Sequence, residues 1–462
     1  MFAILGIVFF LTLIIGTPGG FDINFAPGLS MKNILLYPLL AAAIAAAVLQ
    51  RRTANASRPP AAPSLIVFHV LCVFLIWYGL AWLGIVMINH GYVLPDRLGV
   101  SGLRMIAITF KNEVIEPYLI LIVFLLAAST IEQAKALIFV ILVLISAVNG
   151  VTVIDAFTGA GLFALDHGRV AGPLQSANAY GAFVNMFMPG MIAAGFCYTG
   201  LRRWFFLSNA AISFLLIILT ASRGAAVGLL IGSIIAAGFL RRYVQAKRVV
   251  RFAAAALAAA TLIIAVAALE YGDILYQRFI VQSEQASVSA SVVTSGRSVI
   301  WESAWEGMKL HPWSFAFGYG WGAFISNNPK AAHNVYFEYL YNLGAIGLAV
   351  YLSIWIYVLR TCRRTLQYAD DDARRLLIGY IFGLCIVLVS ISFLNFEAAV
   401  PFVWSFTGAA LCLCRLSVLE PNASVPQIDQ AEGAGDASSP VKHSLSRLAQ
   451  GEWTRSRVPF RS

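Results

Sequence analysis

Long apolar runs separated by short polar turns fill the chain from its first residues to about residue 415. Each run is close to the ~20 residues an α-helix needs to cross a hydrocarbon core. Twelve can be read, at about 2–17, 33–49, 65–88, 114–129, 136–154, 178–198, 204–220, 223–240, 251–269, 334–359, 375–394 and 399–415. The pattern predicts an all-α polytopic membrane protein of about 12 transmembrane helices. The fourth run follows Lys111, Glu113 and Glu116, and only Ser222-Arg223-Gly224 divides the seventh from the eighth. The first run lacks the basic stretch that precedes a cleaved signal peptide, so it reads as a span.

Three longer interruptions stand at 89–113, 155–177 and 270–333. The last begins polar and then turns aromatic. From Ser298 to Leu310, Trp301, Trp305 and Met308 recur at i, i+4 and i+7, the stripe of an amphipathic helix. Such a helix can lie in the membrane interface or pack on the bundle, and both readings stay open. Residues 418–462 are rich in Ala, Ser, Pro and Gln without an apolar period, which predicts a disordered tail.

Composition narrows the class. Sixty per cent of residues are hydrophobic and 12% charged, with a mean hydropathy of +0.79. A soluble fold cannot bury that much apolar surface. A soluble enzyme, a disordered protein and a secreted disulfide scaffold are therefore excluded. The net charge of +10 sits mainly in short loops and reads as a topological signal. No basic–aromatic stripe suggests nucleic acid as a partner. With the N-terminus inside, sixteen Lys and Arg fall in short cytoplasmic loops and their edges, against ten over the longer outer segments. Both termini are then cytoplasmic, and the three long interruptions face outward. The six cysteines form neither a disulfide framework nor a metal-ligand pair.

Charged groups at membrane edges are costly, so each asks for a task. Arg223 stands between two apolar runs where a helix begins. Its planar fork suits phosphate, and helix N-terminal amides favour an anion. The competing reading is an arginine that snorkels at a helix end. Arg297 follows Gly296 directly before the aromatic helix, as a second anion site or a solvated loop residue. His333, with Asn334 placed to cap a helix, lies where the long interruption enters a span. A histidine there can take a proton, or can be purely structural. Glu338, five residues on and inside the apolar run, is the competing base. Arg169, in the stretch Asp166 to Asn178, is a third basic group. Gly318, Gly320 and Gly322 match no nucleotide fingerprint and read as turns. Asp370-Asp371-Asp372 reads as a solvated turn. No metal-ligand spacing or nucleophile elbow is present.

In order along the chain, Arg169 through Asn178, Ser222-Arg223-Gly224, Gly296-Arg297 with Trp301, His311-Pro312 before Gly318-Tyr319-Gly320, and His333-Asn334 with Gly344 and Gly347 resemble the bacterial O-antigen ligase and polymerase superfamily. The resemblance covers about 169–350. It implies a metal-independent, inverting glycosyltransferase without cofactors, at the periplasmic face of the bacterial inner membrane. The segment 270–333 would then be a large periplasmic loop with short helices. The donor would be a glycan on undecaprenyl diphosphate. The acceptor would be lipid A-core in a ligase or a growing glycan in a polymerase. His333 would be the general base, with Glu338 as its competitor. Arg223, Arg297 and, less directly, Arg169 would hold the diphosphate. Trp301, Trp305 and Asn334 would contact the acceptor or membrane lipid. One dominant outer segment leans toward ligation over repeat-unit polymerisation for O-antigen or exopolysaccharide. A polysaccharide or lipid transporter or flippase is the alternative of another class. It should show paired halves and charges at the bilayer midplane, whereas the unusual charges here gather at one face.

Overall fold

The computed structural model describes residues 24–26, 29–53, 65–83, 102–163, 165–243, 297–328, 331–394 and 396–419, with isolated positions near 10–14 and 272–281. Helix dominates, as the apolar runs predict. The helices are α1 (Met31–Thr53), α2 (Ile66–Leu83), α3 (Gly102–Phe110), α4 (Glu116–Leu126), α5 (Ile131–Thr158), α6 (Ala177–Cys197), α7 (Gly200–Leu219) and α8 (Arg223–Phe239). After these come α9 (Arg297–Leu310), α10 (Ser314–Phe317), α11 (Ala323–Asn327), α12 (Val335–Thr365), α13 (Asp371–Ser390) and α14 (Val400–Leu419). Two short hairpins, Asn24–Ala26 with Leu29–Ser30 and Leu165–Asp166 with Arg169–Val170, are the β-structure among the described residues.

Seven helical segments are long and apolar enough to cross a membrane: α2, α5, α6, α7, α12, α13 and Glu397–Leu419. Shorter apolar stretches, Ile34–Ala45 and α8, match two more of the expected spans. The runs at 2–17 and 251–269, most of the 270–333 segment before Arg297, and the tail from residue 420 lie outside the described residues. These helices make the chain a multi-pass membrane protein.

The fourth run differs from its expectation. Helix is continuous from Gly102 to Leu126 through a π-helical turn at Lys111–Ile115, so charged residues read as loop lie inside it. The reason is local pairing: Lys111 Nζ sits 2.8 Å from Glu116 Oε1, and the Glu116 side chain is fully buried. Asp370 also departs from the solvated turn expected of it. Its carboxylate caps α13 by accepting from Ala373 N–H at 2.8 Å, and it pairs with Lys135 of α5 at 3.0 Å.

Burial separates core helices from lipid-facing ones. In the spanning window ending at Leu419, 89% of residues are buried, against 28% in α2. Helix α2 turns Ile66, Val70, Val73 and Trp77 outward. Helix α13 packs between α6 and α8, while α14 packs on α4, α5 and α12. In a low-dielectric interior, side-chain polar groups must find one another. Tyr180 of α6 donates to Asn149 Oδ1 at 2.9 Å, and Asn149 Nδ2 donates to Ser213 Oγ of α7 at 3.0 Å, tying three helices.

Helix α12 is bent. Gly344 adopts φ 65°, which ends one helical stretch and starts another. The carbonyls freed by the break are met by the glycine loop: Tyr319 N–H donates to Tyr341 O at 2.9 Å and Gly320 N–H to Asn342 O at 2.8 Å. A Cβ on Gly344 would collide with the Ala316 carbonyl, and one on Gly318 with that of Asn342. Both glycines are thus required by backbone against backbone. Gly344→Ala is expected to cost at least ~1–2 kcal/mol from the left-handed conformation alone, plus the collision. The measurement is thermal stability in detergent, with Ala349→Ser on the exposed face of α12 as the control. A melting point equal to the parent's would refute the joint.

Candidate active site

His333 lies in the left-handed region (φ 49°), immediately before the cap of α12. Asn334 performs that cap: its Oδ1 accepts from Phe337 N–H at 3.1 Å. This matches the local chemistry read from the sequence. Two bonds fix the segment on either side. Trp301 Nε1 donates to Ala332 O at 2.7 Å, and Val335 N–H donates to Ile391 O at 3.0 Å. Helix α9 and the end of α13 therefore hold the histidine's backbone from two directions.

Arg297 opens α9, and its Nη1 donates to the carbonyl of Phe393. Arg223 opens α8, whose cap Ser222 accepts from Ala225 N–H at 3.3 Å. The preceding turn is tight enough to force Ala221 to φ 43°. Helix α8 lies so close to α13 that a Cβ on Gly224 would stand 2.9 Å from Phe393 Cβ, and one on Gly228 would overlap Ser390.

Three segments far apart in sequence thus meet one turn, residues 391–394 after α13. The Arg297 side chain bonds Phe393 O, Gly224 beside Arg223 packs on Phe393, and Val335 near His333 bonds Ile391 O. The arrangement brings two guanidinium-bearing helix starts and an imidazole-bearing loop to a common edge of the bundle. Guanidinium forks near two helix N-termini can bind and neutralise a diphosphate. An imidazole at the same edge can accept a proton.

Sequence reasoning missed the 391–394 turn. Ser392-Phe393-Leu394 carries no chemical signature, because the turn contributes carbonyls and shape. Other candidate residues take more definite places. Arg169 is 5% exposed and its guanidinium is engaged within its own loop: Nη2 meets Asp166 Oδ2 at 2.7 Å, Nε donates to Asp166 O at 3.1 Å, and Nη1 to Asn178 Oδ1 at 3.4 Å. Asp166 Oδ2 also accepts from Ala177 N–H at 3.0 Å, so the pair fastens the hairpin to the start of α6. Helix α9 buries Ala304 and Met308, with Trp301 half-buried, whereas Trp305 is 40% exposed and rests edge-on against Phe315. The buried stripe is therefore 301, 304 and 308, rotated from the 301, 305 and 308 read from spacing, because the Trp301 bond to Ala332 sets the helix's roll. Glu338 lies one turn below the cap of α12 and lines a cavity between the helices. Among the described residues, no group of three or more His, Cys, Asp and Glu is placed to hold a metal ion.

Among curated proteins no match was found. A family model described as O-Antigen ligase matches residues 208–352. The match includes Arg223, Arg297, His333 and Glu338, and leaves Arg169 and the 391–394 turn outside it. That domain, with the ordered motifs it contains, supports the resemblance to the O-antigen ligase superfamily over 208–352.

Proposed function

We propose that the protein transfers a glycan from undecaprenyl diphosphate to an acceptor hydroxyl at the periplasmic face of the bacterial inner membrane, with lipid A-core as the acceptor. The observation that supports this reading is that Arg297, Gly224 beside Arg223 and Val335 near His333 all contact residues 391–394. A lipid-linked donor enters sideways from the bilayer, so its diphosphate must be gripped at the membrane edge where these groups stand. His333 takes the proton of the acceptor hydroxyl. The freed oxygen attacks the anomeric carbon, and the bond from that carbon to the diphosphate oxygen breaks. The leaving diphosphate departs with its charge met by Arg223 and Arg297. Attack opposite the leaving group inverts the anomeric centre. Within this scheme Asn334 and Trp301 position the His333 loop, and Arg169 holds the fold of its own loop. The outward apolar side chains of α9, Val299, Trp305 and Leu310, rest against membrane lipid.

The test uses purified protein in detergent with a polyprenyl-diphosphate-linked glycan, with and without lipid A-core and without added metal. Glycan appearing on lipid A-core supports the proposal. Lipid-linked ladders formed without core would make the protein a polymerase, and no product in either reaction would turn attention to transport. Orientation has its own check. A periplasm-active reporter fused after residue 300 is expected to be active, and a cytoplasm-active one silent. The reverse pattern would overturn the topology.

A further inference from the structure

The arginines at the ends of α8 and α12 have no task in the candidate site. Helix α8 starts at Arg223 and α12 beside His333, so their far ends, at Phe239 and Thr365, lie at the opposite edge of the bundle. The 17 residues of α8 carry the chain roughly 25 Å from one edge toward the other. At the far edge Arg241, Arg242, Arg360 and Arg364 are exposed and Arg363 is half-buried. The Arg363 guanidinium carbon stands 4.7 Å from the centre of the Phe239 ring, so α12 reaches across to α8 there.

The acids of this edge are already engaged. Asp370 pairs with Lys135 at 3.0 Å, Asp371 with Arg374 at 3.0 Å and Asp372 with Arg375 at 3.1 Å. Among the described residues no carboxylate pairs with Arg241, Arg242, Arg360, Arg363 or Arg364. Apolar stripes lead to these charges. On α12, Leu352, Ile356 and Arg360 recur four apart and are all exposed, so they share one side of the helix. On α8, Leu230, Ile234 and Gly238 make an equivalent exposed stripe that runs toward Arg241 and Arg242.

This combination restricts the occupant. Unpaired guanidinium groups call for an anion with phosphate-like geometry. The stripes beside them call for hydrocarbon. A free phosphate leaves the stripes unused, an acidic protein segment brings no chains to lie along them, and a zwitterionic lipid brings a cation of its own to the arginines. An anionic phospholipid meets both demands, and basic clusters at the ends of membrane helices attract such headgroups.

We infer that the far ends of α8 and α12 form a binding site for an anionic diacyl phospholipid. Its phosphate sits among Arg241, Arg242 and Arg363, and its chains lie along the exposed stripes of the two helices. The lipid ties α12 to α8, which otherwise packs mainly on α13. The site is independent of the transfer reaction proposed above.

The experiment titrates the full-length protein in detergent with dioleoyl phosphatidylglycerol or dioleoyl phosphatidylethanolamine. Native mass spectrometry counts the bound lipid, and melting points are read in parallel. Arg241→Gln/Arg363→Gln and Arg360→Gln/Arg364→Gln each remove two charges from the site. Arg360 and Arg364 are exposed and make no ion pair among the described residues, so their variant keeps the fold even where freeing the Phe239 ring disturbs it. Arg202→Gln/Arg203→Gln removes two charges at the start of α7, on the same edge but outside the site. The parent is expected to bind phosphatidylglycerol more tightly than phosphatidylethanolamine and to melt higher with it. Each site variant should bind phosphatidylglycerol about tenfold or more weakly and lose that rise, since one arginine beside an anionic lipid is worth about fivefold. The α7 variant should keep both. Equal weakening in the α7 variant would make the attraction a property of the whole charged edge and overturn the site. So would a parent without preference for phosphatidylglycerol, or site variants that bind it as the parent does. Displacement of phosphatidylglycerol by equimolar glycerol 3-phosphate would make this a site for free phosphate and overturn the lipid reading.

Discussion

His333→Ala should abolish glycan transfer while the protein still inserts, folds and binds its donor. A positioned general base contributes roughly 10²–10⁴-fold to rate. The substitution removes only the ring. Asn334 still caps α12, Trp301 still bonds Ala332 O, and Val335 N–H still bonds Ile391 O, so these bonds of the frame are kept. Alanine must also adopt the left-handed φ of 49°, which makes His333→Asn a useful companion, since asparagine tolerates that region better. Both variants should be inactive with melting points near the parent's. Near-normal transfer in His333→Ala would move the role of base to Glu338, in the first turn of α12, and Glu338→Gln would then be the inactivating change.

Arg223→Ala and Arg297→Ala should each lower kcat/KM for the lipid-linked donor by roughly 10–100-fold, the effect of losing a charge-assisted hydrogen bond to phosphate. The acceptor KM should change little. Equal loss for both substrates would indicate a folding defect. Lysine should not restore full activity at either position, because it lacks the planar fork. Arg297 also gives Nη1 to the Phe393 carbonyl, so Arg297→Lys should loosen α9 from the 391–394 turn and lower the melting point.

Helix-scale features were legible in the sequence because a hydrocarbon environment allows few alternatives. Apolar length gave α2, α5, α6, α7, α12, α13 and the last span, and the break at Ser222-Arg223-Gly224 and the Asn334 cap marked helix starts that the structure bears out. What was not legible depends on pairing at a distance. Lys111 looks like a loop residue until its ion pair with Glu116 permits it inside a helix. Asp370 looks solvated until Lys135 arrives from α5. The roll of α9 follows a single indole bond to Ala332, which no periodicity encodes. At the site, the side chains with chemistry could be read one by one. The turn that gathers them could not, since Ile391 and Phe393 act through their carbonyls and any residue supplies a carbonyl.

That gathering turn has a consequence for biosynthesis. Ribosomes deliver the chain to the membrane from the N-terminus, so Arg223, Arg297 and His333 are all in place before residues 391–394 are made. Until α13 has inserted and its closing turn has emerged, α9 has no Phe393 carbonyl to hold and α8 has no partner for its glycine face. Under the proposed function, a chain stopped after the family-matched segment lacks this turn and is expected to be inactive in the transfer assay.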